Sequence, residues 1–425
     1  MEMKKGKTEI VTLQELEKVR FQQMKQEVRV RIRDHLDYGR DYSDAEVEEM
    51  IDEELLKREE IVQLSLEQRR RLKKELFDSM RRLDILQLFV EDNSVTEIMI
   101  NGKDNIFVER GGKLAKIDLA FDSEERLKNV IQQVVAGCNR VINEATPIVD
   151  ARLENGARVN IVMDPVALNG PIVTIRRFPE KPITMEQLLA FGSISREAAE
   201  LLEKLVKAHY NIFVSGGTGS GKTTFLNALS AFIPKDERII TIEDSAELQL
   251  LGVDNLVRLE TRNGNVEGCR EIGIRELIRT SLRMRPDRLI VGEVRGPEAL
   301  DMLQCLNTGH DGSMSTGHAN SATDMLARLE NMVLMGMELP LPAIRQQIAS
   351  GIDLIVHLGR LRDRSRRVLE IAEVDGYDAG EIKLSTLFSF EESGQDEHGR
   401  VLGRLARRGE LIHEDKLKAA GLSQV

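Results

Sequence analysis

Nine consecutive residues near the middle of the chain have the composition of a triphosphate cradle: Gly216, Gly217, Thr218, Gly219, Ser220, Gly221, Lys222, Thr223 and Thr224. They fit the pattern G-x-x-x-x-G-K-T, between a short apolar run, Asn211 to Ser215, and a helical stretch, Phe225 to Ala231. Glycines let backbone N–H groups curl around phosphate oxygens. The helix start adds the positive end of its dipole. Lys222 has the reach to meet the β- and γ-phosphates, and the Thr223 hydroxyl can ligate Mg²⁺. With every fixed position matched between a strand and a helix, a chance Gly-rich turn is a poor alternative. The expected ligands are ATP and Mg²⁺.

Hydrolysis asks for more: a group that orients water and charges that neutralise the phosphates. Arg238 to Ile242 reads as a strand that runs into Glu243, Asp244, Ser245, Ala246 and Glu247. Carboxylates just past a strand's C-terminal end sit where doubly wound sheets bind ligands, and one there can deprotonate the attacking water. Taken alone, the run reads equally well as a solvent-exposed acidic loop. Asp287 to Val291 is a further apolar strand, followed by Gly292 and Glu293. This is a Walker B position with glycine where many P-loop enzymes carry the Mg²⁺-linked Asp, so Glu293 is expected to act on Mg²⁺ through water. The segment Asn307 to Asn320 holds two histidines. Its composition favours His318 as a γ-phosphate sensor and His310 less so, although a lone histidine is more often a structural residue.

These groups need a scaffold. From Thr184 to about residue 358, strands and helices alternate, the pattern of a mainly parallel sheet covered by helices. The fold class expected is α/β, with a P-loop domain over 184–378. Ahead of it, strand-like runs (Glu97–Ile100, Ile106–Glu109, Val149–Leu153, Arg158–Val162, Ile172–Arg176) and a helix over Leu127–Ala136 predict a smaller α+β domain over 86–178. A Pro-marked stretch, Phe178 to Pro182, predicts a hinge at 179–183. Residues 1–85 read as a charged helical extension, with Ile51, Leu55, Leu56, Leu64, Leu66 and Leu72 on its apolar side. Residues 379–425 read as a polar tail.

Bulk properties narrow the classes. The chain has 425 residues, 41% hydrophobic and 31% charged, enough for two or three domains with real cores. No window approaches the roughly 18 uninterrupted apolar residues of a membrane span, and the start has no apolar signal-peptide core. A cytoplasmic protein is expected, with any membrane association made through partners. Cys138, Cys269 and Cys305 lie far apart and form no C-x-x-C pair. A net charge of −11, no Trp and four Tyr speak against a dedicated nucleic-acid motor, which needs a basic channel with stacking aromatics.

Taken together, the motifs resemble the secretion-ATPase superfamily that powers type II secretion, type IV pili, type IV secretion and archaeal surface filaments. The chain carries that family's Walker A box (Gly216–Thr224), Asp box (Thr241–Glu247), Walker B box (Leu289–Glu293) and His box (Thr308–Asn320) in order. The strings Val149–Leu153, Leu282–Arg288, Val291–Gly296 and Asn307–Ser313 are most similar to the CpaF branch, the ATPases of Flp or tight-adherence pili. The resemblance implies a homo-hexamer of chains, each with a PAS-like N-terminal domain and a RecA-like C-terminal domain. It implies work on inner-membrane platform proteins of a pilus or secretion system. It also implies that Glu247 is the catalytic glutamate, that Glu293 is the Walker B acid, and that Arg158 and Arg176 reach the γ-phosphate. The nearest alternative is a translocation ATPase of a type IV secretion system. Two features depart from the family pattern. Gly317 stands where relatives usually carry a β-branched residue, which predicts a looser strand before His318. The four-cysteine zinc module of many type II and type IV pilus ATPases is missing, as it is in the CpaF branch.

Overall fold

The computed structural model describes residues 13–35, 40, 42–58, 61, 64–138, 140–153, 155–177, 182–262 and 270–422. The chain divides into two compact units, Met1–Pro179 and Glu180–Val425. Within the stretch expected as a hinge, residues 178–181 lie outside the described residues, as does Cys269.

The first unit begins with helices Leu13–His35, Asp44–Leu56 and Leu66–Arg81. The second and third start with capping boxes: Ser43 with Glu46, and Ser65 with Gln68. Met24, Val28, Ile32, Val47, Ile51, Leu55, Leu72 and Leu76 form a core of their own. Leu56 and Leu66, read as part of the apolar side, are instead 86% and 74% exposed, because both sit at helix ends.

Six strands follow: β1 (Val95–Asn101), β2 (Ile106–Arg110), β3 (Lys113–Ile117), β4 (Ile148–Arg152), β5 (Arg158–Val162) and β6 (Ile172–Arg176). They form an antiparallel sheet in the order β3-β2-β1-β6-β5-β4. Gly111 and Gly112 both adopt positive φ between β2 and β3, the two-residue turn that a twisted hairpin favours. Alternation puts Ile98, Ile100, Val159, Ile161, Val173 and Ile175 on one face, where they pack against helix Glu124–Ala136. The opposite face carries a row in register: Glu97 opposes Arg176, Arg176 opposes Arg158, and Arg158 opposes Arg152.

The second unit is built on a sheet of β7 (Ile212–Gly216), β8 (Arg238–Glu243), β9 (Asn255–Glu260), β10 (Arg288–Val291), β11 (Met314–Gly317), β12 (Leu354–Arg360), β13 (Arg366–Asp378), β14 (Glu381–Gln395) and β15 (Val401–Arg407). The order is β15-β14-β13-β12-β7-β11-β10-β8-β9. From β12 to β9 the neighbours run parallel, and the last three strands add on antiparallel. Ile212 and Val214 face one core and Phe213 the other, so both faces are covered. Residues 379–425, read as a polar tail, are a correction. They contribute β14 and β15 to this sheet, with Leu387, Phe388 and Val401 buried. No helix among the described residues is long and apolar enough to cross a membrane.

Candidate active site

After β7 the chain leaves for β8 and β9 and then fills inward with β10 and β11, while β12 lies on the other side of β7. The strand order therefore reverses beside β7, and its carboxyl end opens a crevice of the kind that binds ligands. The Gly-rich loop occupies that end. Gly219 and Gly221 take φ of 71° and 95°, where side chains are strained. A Cβ on Gly216 would stand 2.5 Å from the carbonyl oxygen of Leu358. Helix Lys222–Ser230 starts on Gly221 with no side-chain cap, which leaves its first amides for an outside acceptor. The buried hydroxyl of Ser220 has no partner among the described residues. Open amides and an unused hydroxyl around a glycine cradle fit a polyphosphate.

Lys222 is buried, and its Nζ donates to the carbonyls of Gly216 (3.1 Å) and Gly217 (3.2 Å). The same Nζ lies 3.3 Å from Nδ1 of His318. His318 follows β11, and its Nε2 is 2.8 Å from Oε1 of Glu293, which follows β10. Parallel pairing of β7, β11 and β10 thus carries Lys222, His318 and Glu293 to one place from three separate motifs. Burial holds the His318 imidazole below its ordinary pKa, with Lys222 and Arg295 helping against the pull of Glu293. Arg295 donates to Oε2 of Glu293 at 2.6 Å.

The Asp box loop follows β8. Glu243 is buried and accepts the backbone N–H groups of Glu247 (2.7 Å) and Leu248 (2.8 Å) on Oε2. Arg258 donates to the carbonyl of Leu248 at 3.0 Å. Asn227, in the helix after the Gly-rich loop, accepts the N–H of Gln249 at 3.0 Å. The loop that bears Glu247 is therefore tied to the phosphate-binding helix. Gly317 is not a loose point: a Cβ there would come 2.9 Å from the Phe213 ring and 3.0 Å from the Met325 thioether, so the expected slack is already filled. His310 precedes β11 and so lies at the opposite end of that strand from His318, away from Lys222 and Glu293.

Arg158 and Arg176 belong to the first unit, on β5 and β6, and face each other across the strands. Arg152 continues the row on β4. The sequence marks Glu243 only as one of the carboxylates past β8, with no separate role, and nothing local marks Asn227.

Residues 81–406 match the family described as Type II/IV secretion system protein. A protein of Mycobacterium tuberculosis named for conjugal transfer is 34% identical over 319 residues, covering 74% of this chain and 90% of its own. The type IV secretion system protein VirB11 of Bartonella quintana is 30% identical over 325 residues, covering 67% and 90%. Among solved structures, the Legionella pneumophila ATPase DotB is similar with a TM-score of 0.50 at 20% identity, over 68% of this chain and 79% of that one.

Proposed function

The chain belongs to the type II/IV secretion system protein family and is an ATPase with a RecA-like P-loop domain, and on that premise we propose that it is a homo-hexameric motor driving pilus assembly from the cytoplasmic face of the bacterial inner membrane. The observation that carries the reading is the meeting of Lys222, His318 and Glu293 beyond the ends of neighbouring strands. Lys222 and the helix amides hold the phosphates. Thr223, and Glu293 through water, would hold Mg²⁺, which when bound would supply neutralising positive charge for the phosphates. Glu247 takes a proton from the attacking water. Arg158 and Arg176 add positive charge to the transferred phosphoryl group, a contribution worth about 10³–10⁵ in rate in other NTPases. Neutral His318, between Lys222 and Glu293, reports the γ-phosphate to both. The work is done on inner-membrane platform proteins, and the membrane association is peripheral, through them.

The pilus context is supported by the CpaF-like strings. A second reading, translocation in a type IV secretion system, is favoured by the names of the curated relatives. Capture of a pilus platform protein or of a conjugation channel component separates the two. The motor itself is tested by ATPase rate against chain concentration. Lys222→Ala abolishes turnover, and Glu247→Gln binds ATP but turns over about 10²–10⁴-fold more slowly. Turnover per chain rises as rings assemble. Full activity of Glu247→Gln removes that residue from the base role.

A further inference from the structure

The chemistry above leaves one buried carboxylate at the site unused. Glu243 ends β8 with 3% of its surface exposed. One oxygen, Oε2, takes both amide protons of the turn that presents Glu247. The other, Oε1, is buried without a hydrogen-bond partner among the described residues. Burial pushes the carboxyl up to about 7, against the pull of those two amides. A half-satisfied buried carboxylate is costly and needs a reason. The opposite wall supplies part of it. A Cβ on Gly292 would stand 2.9 Å from Cγ of Glu243. The space where many P-loop enzymes place their Walker B aspartate is therefore filled by Glu243, and only glycine at 292 leaves room. One side chain thus closes the turn that bears Glu247 and packs against the residue next to Glu293.

We propose that Glu243 is a positioning residue that sets Glu247 against the Walker B segment, one oxygen fixing the turn and its methylene chain fixing the spacing to Gly292. The inference rests on Glu247 being the base. Without Glu243, both amides lose their acceptor and Glu247 loses its fixed place. A misplacement of about 1 Å costs on the order of 10²-fold in rate. Gly292→Ala does the same from the other side, by pushing on Cγ.

The test uses the full chain with a fluorescent ATP analogue and steady-state ATPase assays. Glu243→Ala lowers kcat by about 10- to 100-fold and leaves nucleotide Kd within about threefold. Glu243→Gln restores turnover, because both amides converge on a single oxygen that the glutamine carbonyl reproduces. Gly292→Ala also lowers kcat, and combining it with Glu243→Ala adds little, since the crowded atoms are gone. Added to Glu247→Gln, Glu243→Ala causes no further loss. Normal turnover in Glu243→Ala beside an inactive Glu247→Gln overturns the positioning role. So does a matching fall in nucleotide affinity, the mark of general collapse. An active Glu247→Gln removes the base reading and this inference together.

Discussion

At the scale of single residues, two glycines show how the site is packed. Gly292 and Gly317 lie one after β10 and one at the end of β11, and neither is required by its backbone angle: the neighbours' atoms require them. Phe213 and Met325 fill the space that a side chain at 317 would need. Gly317→Val therefore destabilises the second unit by about 1–3 kcal/mol, the usual effect of overpacking. Chemical denaturation measures it, and Phe213→Leu in the same chain recovers part of the loss. An unchanged denaturation midpoint in the single variant shows that Phe213 and Met325 yield freely.

At the scale of elements, the arginine row across β4, β5 and β6 is costly to the sheet. Like charges directly opposite each other destabilise strand pairing. Glu97, 3.7 Å from Arg176, relieves that end of the row. Arg158→Ala and Arg176→Ala are thus expected to leave stability unchanged or raise it by about 0.2–1 kcal/mol, while turnover falls steeply. A thermal melt read beside an ATPase assay checks both halves, and a parallel loss of melting temperature and activity points to a structural role instead. In the second unit, β10 is anchored at its start by Arg288, which is fully buried. Its Nη2 donates to Glu237 Oε1 at 2.8 Å, its Nε pairs with Oε2, and Nη1 donates to the Val206 carbonyl at 2.7 Å. Burial pushes the Glu237 carboxyl upward, but the Arg288 hydrogen bonds outweigh it and hold the pKa at about 2. A depressed folded-state value means that this stabilisation is complete above the ordinary glutamate value near 4.5 and is lost as pH falls from there towards 2. Glu237→Gln strands a buried guanidinium and costs about 3–5 kcal/mol near neutral pH. The gap between variant and parent narrows in urea titrations as the pH is lowered through that window. A gap that does not change with pH rules out the ion pair as its source.

At the scale of the whole molecule, the C-terminal strands complete the second unit. Leu387, Phe388, Leu405, Leu411 and Leu417 join the core that also holds the β7 residues Ile212 and Val214. Glu373, on β13 and 1% exposed, accepts the backbone N–H groups of Ile412 and His413, each at 2.7 Å. Tyr210, just before β7, donates from its hydroxyl to the His413 carbonyl at 2.5 Å. A chain ending at Arg408 loses two buried leucines, about 1.5–3 kcal/mol each, and leaves Glu373 buried without those amides. Its melting temperature falls, and limited proteolysis opens the second unit. Resistance equal to that of the intact chain shows that residues 409–425 are dispensable.

What could be read along the chain was the chemistry that stays local. Gly216–Thr224 announces itself because a phosphate cradle is one continuous piece of backbone, and the alternation of β1, β5 and β6 follows from a sheet with one buried face. The polar look of residues 379–425 hid two strands for the same reason: these strands bury few side chains, so a pattern judged by average polarity resembles a tail. Only the tertiary structure decides which distant residues meet. Composition favours His318 over His310, but its place beside Lys222 and Glu293 depends on parallel pairing, which sets the carboxyl end of β11 next to those of β7 and β10. The meaning of Gly292 depends on a side chain from β8 that sits 49 positions earlier in sequence and one strand away in space (292 less 243). Strand order is set by long-range pairing, which no short stretch of sequence contains.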